Sequence, residues 1–580
     1  MNHTKPIYTE KNDCQDCYKC VRECPVKAIK IEDGSASIIE DLCIFCGHCT
    51  EICPVGAKKI RNDLSLAKLF LGHGDTVVAS IAPSWVADFP GVTEAQLVAA
   101  LKFLGFKAIS ETSIGAEVVS AETGRLLKDA GWNKRVAIST ACPAVVEIIA
   151  KYHPEYVPFL TPVISPMLVH GRLLKKWYGE DTRVVFFGPC VAKKVESDEN
   201  KNIIDIALTF DDLAKWLDDE GIEFGMELPD SSENNCFEPF HSGVGSLYPI
   251  DGGMIAGVKE NASVTDIAFM TFSGMQAIDE ALKGIDSYNG CSTIFLELLA
   301  CSGGCIAGPG THCKDSLAIK RYRVINYRHR NVSQNVTPVK FNTKLDDISR
   351  RFDGIKPCTK QRYSTKEIVE AMSAVGKLSS KDELNCGGCG YDSCKEFAIA
   401  MIQGKAERSM CVSYMRKVAH DKATVLLQKI PSGVVLVDDK MRVVESNLNF
   451  AQMLGPEVEL IYEANPGLEG AVAEKLIPFH KMLRAALETG EDQLERDVKV
   501  GSKKLKVSVF NVQRHKIVSA VVRDLTIPEV RNDEIARRTR DVIKENLQTV
   551  QKIAYLLGEN ASRTEVVLSS ILDTITNDEE

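Results

Sequence analysis

The sequence predicts a multidomain protein of mixed α/β and α+β class, and three observations carry that prediction. Two cysteine runs of identical spacing stand near the N-terminus: Cys14-x2-Cys17-x2-Cys20-x3-Cys24-Pro25 and Cys43-x2-Cys46-x2-Cys49-x3-Cys53-Pro54. From about residue 76 to 342, short apolar runs alternate with amphipathic helical segments. A third cysteine group and a strand-rich segment follow. The expected regions are a cysteine-rich domain at 1–62, an α/β domain at 63–345, a small cysteine domain at 364–416, a sheet domain at 420–526 and a helical segment at 527–580.

The length of 580 residues suits about four domains. An apolar content of 44% and a charged content of 26% are those of an ordinary globular protein. No apolar run is long enough to span a bilayer, and residues 1–13 lack the apolar core of a secretory signal. A cytoplasmic protein without a membrane partner is expected. Twenty cysteines in that setting read as metal ligands rather than disulfides. The formal charge of −9 argues against a nucleic-acid partner. For the basic stretch Lys314, Lys320, Arg321, Arg323, Arg328 and Arg330, a solvated face is favoured over a docking patch.

The N-terminal runs have the bacterial two-cluster ferredoxin pattern, in which the fourth cysteine of each run ligates the other run's cluster. Cys14, Cys17, Cys20 and Cys53 then hold one 4Fe-4S cubane, and Cys43, Cys46, Cys49 and Cys24 hold the other. A cubane needs four thiolates at fixed corners, and the short spacing supplies three from one loop. Zinc or disulfides are a poor alternative for two full runs that each end in Cys-Pro. The chain is therefore expected to move electrons.

In the α/β region, strands are expected at 77–81, 136–139 and 184–187, with helices at 94–104 and 116–130. Three cysteine-bearing loops end apolar runs: Ser139-Thr140-Ala141-Cys142-Pro143, then Gly188-Pro189-Cys190-Val191-Ala192-Lys193-Lys194-Val195-Glu196, then Glu297-Leu298-Leu299-Ala300-Cys301-Ser302-Gly303-Gly304-Cys305. Strand C-terminal ends are where α/β folds place ligands. Four cysteines from three such loops can converge on one cluster. Gly303 and Gly304 are expected to let the backbone approach an inorganic group.

These loops resemble the signatures of the iron-only (FeFe) hydrogenases, T-S-C-C-P, M-P-C-x-x-K-x-x-E and E-x-M-A-C-x-G-G-C. The resemblance covers more than half the chain. It implies an H-cluster: Cys142, Cys190, Cys301 and Cys305 around a 4Fe-4S cube, with Cys305 bridging to a two-iron subcluster that carries CO, cyanide and a dithiolate amine. It implies that Lys193 donates to a cyanide, that Ala82-Pro83-Ser84 faces the same ligands and that Glu196 pairs near the cluster. It also implies hydrogen and protons as substrates and a redox partner such as ferredoxin.

The departures from the family pattern are as informative. Ala141 stands where the family has a proton-passing cysteine. With the family's G-A-D element set on Gly115-Ala116-Glu117, two relay glutamates fall on Thr123 and Leu126. Gly188 and Leu299 replace methionines that pack around the two-iron site. Loss of a positioned acid or base typically costs about 10²–10⁴ in rate, roughly 3–5 kcal/mol of barrier. Slow hydrogen chemistry, as in a sensor, is the expectation. An ordinary metabolic hydrogenase is one rival reading. A cubane-only relay or cluster-assembly protein is another.

Cys386, Cys389, Cys394 and Cys411 resemble a small 4Fe-4S domain, followed by a helix over 395–406. Zinc also suits four cysteines, and spacing alone does not exclude it. The cofactors expected are three 4Fe-4S clusters and an H-cluster. Cys236, Cys291, Cys313 and Cys358 lack paired spacing and read as buried structural thiols. Residues 430–438 and 442–447 read as strands, 474–487 as a helix, and 494–500, 504–512 and 516–523 as further strands. The segment resembles a PAS domain through I-x-x-G-V-x-x-x-D and E-S-N-x-x-F-A, with no ligand assigned; His480 reads as packed or exposed rather than as a haem ligand. In the tail, Ala536, Ile543, Leu547, Val550, Ala554 and Leu557 recur mostly at heptad spacing, which favours a homodimer over packing of the helix onto its own PAS domain. No histidine follows His515 and no room is left for a kinase domain. Output through a partner kinase, phosphatase or other regulator is expected.

Overall fold

Chain segments that must be buried on both faces read as continuous apolar runs, and β5 (Val77–Ile81) is buried along its whole length. The computed structural model places it inside a parallel sheet. The structure describes residues 5–128, 132, 134–224, 235–261, 267–290, 292–333, 348–352, 354–358 and 361–526. The expected tail helices at 527–580 and Cys291 lie outside the described residues. The chain divides into two compact units, Met1–Tyr414 and Met415–Glu580.

In the first unit, β1 (Ile7–Thr9) pairs antiparallel with β4 (Lys58–Ile60), and β2 (Ile29–Glu32) pairs with β3 (Ser35–Ile38). Short helices Lys19–Glu23 and His48–Ile52 carry the third cysteine of each N-terminal run. Two parallel sheets follow. One runs in the order β6 (Ala108–Glu111), β5, β8 (Arg183–Phe187), β9 (Ile206–Leu208). The other runs β10 (Ile267–Ser273), β11 (Thr293–Leu299), β7 (Val136–Ile138). Parallel neighbours require crossovers, and the helices that make them cover the sheets. Helix Pro166–Tyr178 starts with Ser165 as N-cap and proline at the first turn. Met167, Leu168 and Leu174 on it join the core around β5 and β8.

The small cysteine domain has helices Thr365–Ser373 and Cys394–Ile402. The second ends short of the expected 395–406, because Gly404 takes φ 66° and turns the chain. The basic helix Leu317–Ser333 is not a plain solvated face. Lys320 is 5% exposed and donates to the Ile306 carbonyl, Arg321 pairs with Asp251, and Arg328 with Glu260. The three described unassigned cysteines are not buried: Cys236 is exposed, and Cys313 and Cys358 are half-buried. Each sits in a connecting segment outside the packed sheets.

The second unit holds a five-stranded antiparallel sheet in the order β13 (Val443–Ser446), β12 (Gly433–Asp438), β16 (Ile517–Asp524), β15 (Lys503–Gln513), β14 (Gln493–Val500). Its core includes Val435, Val437, Phe450, Leu483, Leu505, Val507 and Val522. Asn447 caps helix Leu448–Leu454 and ties its start to β12, its side-chain oxygen accepting from Phe450 N and Val434 N. The helix expected at 474–487 is two helices, Ala473–Leu476 and His480–Thr489. Pro478 between them has no N–H to continue the first. His480 opens the second helix, with Nδ1 bonded to the Ile477 carbonyl.

Candidate functional site

Four free thiols gather where strands of both parallel sheets end. β7 runs into Thr140 and Cys142; Cys142 caps helix Pro143–Tyr152, whose first residue is proline. β8 runs into Pro189 and Cys190, just before helix Ala192–Glu199. β11 runs into Cys301 and then Cys305. Helix N-termini favour a nearby negative charge, which suits thiolates at the first two positions. Cys142, Cys190, Cys301 and Cys305 line one small cavity together with Cys46.

Burial pushes the Cys190 thiol up to about 11, with Cys142 adding repulsion and Lys193 opposing it. Cys301 and Cys305 are also raised, first by burial and then by neighbouring thiols. Such thiols are expensive to ionise alone and release their protons when a cationic metal group takes them. The donor set of four converging sulfurs therefore suits a soft iron–sulfur group. Gly303 and Gly304 have φ 85° and 91°, and a Cβ on them would stand 2.4 Å from Leu317 Cδ2 and 2.4 Å from the Pro249 oxygen. They are needed for the turn and for close packing of protein, and Gly304 also lines the four-thiol cavity.

A larger cavity of about 100 Å³ adjoins the thiols and is lined by Ala82, Pro83, Ser84, Cys142, Cys190, Lys193 and Cys305, among others. Its polar groups are few. Ser84 Oγ is buried with no hydrogen-bond partner, so it is left for a bound group. Lys193 is the one cation among the described residues of the wall, and its Nζ lies 2.7 Å from Glu196 Oε2. Glu196 is 3% exposed and is also held by Ser165 Oγ at 2.8 Å and Arg350 at 3.8 Å. A cavity with one donor cation and an orphaned hydroxyl suits a group bearing anionic diatomic ligands.

Ala141 lines the same cavity. Thr123 is fully buried and Leu126 packs against the core. None of the three is titratable. Gly188 leaves its space to the Phe186 ring, whose Cζ would lie 2.6 Å from a Cβ there. Phe186 and Leu299 both face the cavity. The one carboxyl on the wall is Glu297, a residue the sequence reading quoted without a role. It is 1% exposed, accepts from Met254 N and Ile255 N at the start of helix Gly253–Asn261, and is raised by burial to about 7. Its place at the head of the third cysteine loop was the available signal.

The N-terminal cysteines form two sets. Cys14, Cys17, Cys20 and Cys53 line one cavity. Cys24 acts electrostatically on Cys43, Cys46 and Cys49, which burial raises. The fourth cysteine of each run thus stands with the other run. Lys58 is 4% exposed, and its charge acts on Cys20 in one set and Cys49 in the other. Cys386, Cys389 and Cys411 form a third electrostatic group. Cys394 opens helix Cys394–Ile402, its N–H bonded to Asn385 Oδ1 at 2.8 Å.

Residues 75–309 match the family model for the iron only hydrogenase large subunit, C-terminal domain. Over this segment the chain is similar to the iron-only hydrogenases. A 4Fe-4S dicluster domain model matches 13–58 and an Fe-S cluster model matches 382–413. Iron hydrogenase 1 of Clostridium pasteurianum is 27% identical over 298 residues, 43% of this chain and 52% of that protein. The periplasmic iron hydrogenase large subunit of Nitratidesulfovibrio vulgaris is 26% identical over 271 residues, 38% of this chain and 62% of that protein. The cytosolic Fe-S cluster assembly factor NAR1 of Yarrowia lipolytica is 25% identical over 156 residues, 24% of this chain and 31% of that protein. The chain thus spans 52–62% of the length of the two hydrogenase relatives. No described helix is long and apolar enough to cross a membrane.

Two outcomes follow for the hydrogenase-like unit. Charge near a cluster sets its potential. Lys58→Met should lower the reduction potentials of both N-terminal clusters, read by a redox titration followed by electron paramagnetic resonance (EPR). Glu297 has a folded pKa of about 7 against an ordinary 4.5. Its contribution to stability is therefore fullest below the unfolded value and is lost as pH rises through 7. Glu297→Gln should flatten the fall in stability of the cluster-free chain between about pH 5 and about pH 7.5, measured by denaturant unfolding. Equal slopes in both proteins would contradict this.

Proposed function

We propose that the chain is a sensory FeFe hydrogenase that oxidises hydrogen, or reduces protons, slowly. The observation that carries this reading is a pair of adjoining cavities, the small one lined by the four thiols and the large one by Lys193 and Ala82-Pro83-Ser84, with Ala141 at the proton-passing position. Cys142, Cys190, Cys301 and Cys305 hold a cubane, and Lys193 and Ser84 face the diatomic ligands of a two-iron subcluster. When bound, that subcluster supplies the metal centre for hydrogen heterolysis. Lys193 is fixed by Glu196, which in turn is held by Ser165 and Arg350, so its ammonium is placed before any ligand arrives. Ala141, Thr123 and Leu126 give no acid or base along the family's proton path, which lowers turnover by about 10²–10⁴.

Electrons leave through the clusters of the ferredoxin region to a ferredoxin-type partner. Cys46 of the second set stands on the wall of the four-thiol cavity, which supports this exit. The sheet of the second unit runs in the order second, first, fifth, fourth, third strand. With the Asn447 cap at the E-S-N-x-x-F-A element, this order supports a PAS reading. The PAS domain and the tail pass the redox state to a partner regulator, through a homodimer in the cytoplasm. The cubane-only reading has one observation in its favour, the partial match to a NAR1 assembly factor. Retention of Lys193 and the orphaned Ser84 hydroxyl weighs against it.

An infrared spectrum decides between these. The anaerobic chain, loaded with cubanes and supplied with the two-iron subcluster, should show CO and cyanide bands that shift between hydrogen and argon. Intact cubanes without such bands would leave the relay or assembly reading. Bands accompanied by turnover at the rate of a metabolic hydrogenase would remove the sensory one.

A further inference from the structure

The small cysteine domain is packed on the ferredoxin region. Its contacts converge on helix Lys19–Glu23, which carries Cys20 and is followed at once by Cys24. Lys27 Nζ donates to the Gly390 carbonyl at 3.0 Å and to the Arg22 carbonyl at 2.7 Å. Arg22 Nη1 reaches the carbonyls of Gly388 at 3.4 Å and Cys17 at 3.3 Å. Ile31 N donates to the Lys405 carbonyl at 3.1 Å, and Asp33 N to Glu407 Oε1 at 3.0 Å. Gly390 has φ 92°, and a Cβ on it would lie 2.9 Å from Val21 Cγ1 and 3.2 Å from Arg22 N. The loop between Cys386 and Cys394 therefore lies directly on the helix. Val21, Cys20, Tyr391, Phe397, Met410 and Cys411 share one apolar cluster.

Tyr391 stands at the centre of this contact. It is 5% exposed, and its ring lies 5.9 Å from that of Phe397. Its hydroxyl is buried and has no hydrogen-bond partner in the protein. It lies within electrostatic reach of Cys389 on its own loop and of Cys24 across the interface. A buried hydroxyl left without an acceptor costs about 1–3 kcal/mol. A cluster sulfur on either side is an acceptor of the right kind.

We propose that the cluster of Cys386, Cys389, Cys394 and Cys411 exchanges electrons with the ferredoxin-region cluster of Cys24, Cys43, Cys46 and Cys49, with the Tyr391 hydroxyl donating to a sulfur at their junction. The third cluster is thus a branch from the ferredoxin region rather than a separate outlet of the four-thiol site. One electron leaves the reduced Cys24 cluster and enters the oxidised third cluster; no bond forms or breaks and no proton moves. The reductant is hydrogen under the proposed function, on which the physiological use of this branch rests, and dithionite in the test. Cys411 immediately precedes helix Val412–Lys429, so the branch ends at the start of that helix.

The test uses the full chain with its cubanes reconstituted and the two-iron subcluster withheld. Dithionite-reduced wild type should give EPR lines split by interaction between the third cluster and the ferredoxin-region pair. Cys389→Ala should remove that splitting, and Tyr391→Phe should keep the iron content while lowering the potential of one of the two joined clusters, because hydrogen bonds to sulfur raise it. A wild-type spectrum that is the plain sum of isolated signals would overturn the wiring, and a Tyr391→Phe titration that overlays wild type would overturn the role of the hydroxyl. If Cys389→Ala does not accumulate, dipolar EPR on wild type reads the same coupling. With the two-iron subcluster absent, failure here leaves the hydrogen chemistry untouched, and missing CO and cyanide bands leave the wiring untouched.

Discussion

The first unit depends on one constraint: four sulfurs from three strand ends must meet at one point. A cubane cannot be assembled from one short loop here, because the cysteines are separated by 48, 111 and 4 positions along the chain (142 to 190, 190 to 301, 301 to 305). Parallel strands meet the constraint because their C-terminal ends lie on one edge. β5 and β8 belong to one sheet and β7 and β11 to the other, and the loops that leave all four face the same cavity. The cost is a set of buried thiols that repel one another until a cationic group joins them.

The same burial explains why so few residues set the chemistry. Polar groups on the large cavity are sparse, and each is either held or left free. Lys193 is held by a carboxylate that has three partners. Ser84 is left without a partner. Glu297 is held at a helix start and kept protonated to about 7 by burial. Around them, Ala141, Gly188 and Leu299 present no titratable group.

Much of this was legible in the sequence, for identifiable reasons. The crossed placement of Cys24 and Cys53 was legible through the likeness of the two runs to the two-cluster ferredoxin pattern. The strand-end position of the three signature loops followed from apolar runs that stop at Cys142, Cys190 and Cys301. What was not legible rests on contacts between distant residues. Nothing local announces that Gly390 will lie on Val21, or that Lys320 will turn inward to the Ile306 carbonyl. The crowding of Gly303 by Leu317 and of Gly304 by Pro249 is of the same distant kind. The break at Pro478 was a local signal that the apolar periodicity on either side outweighed.

The two cavities, Cys46 between them and the ferredoxin region, and the loop of Gly390 on helix Lys19–Glu23 form one continuous sequence of sulfur groups. The central claim is that electrons from hydrogen oxidised at the large cavity reach the third cluster by this path. The most direct measurement is rapid-freeze EPR of the fully loaded, oxidised chain after exposure to hydrogen alone. The account predicts that the ferredoxin-region clusters become reduced first, followed by the cluster of Cys386, Cys389, Cys394 and Cys411. Cubanes that stay oxidised under hydrogen while dithionite reduces them would contradict it.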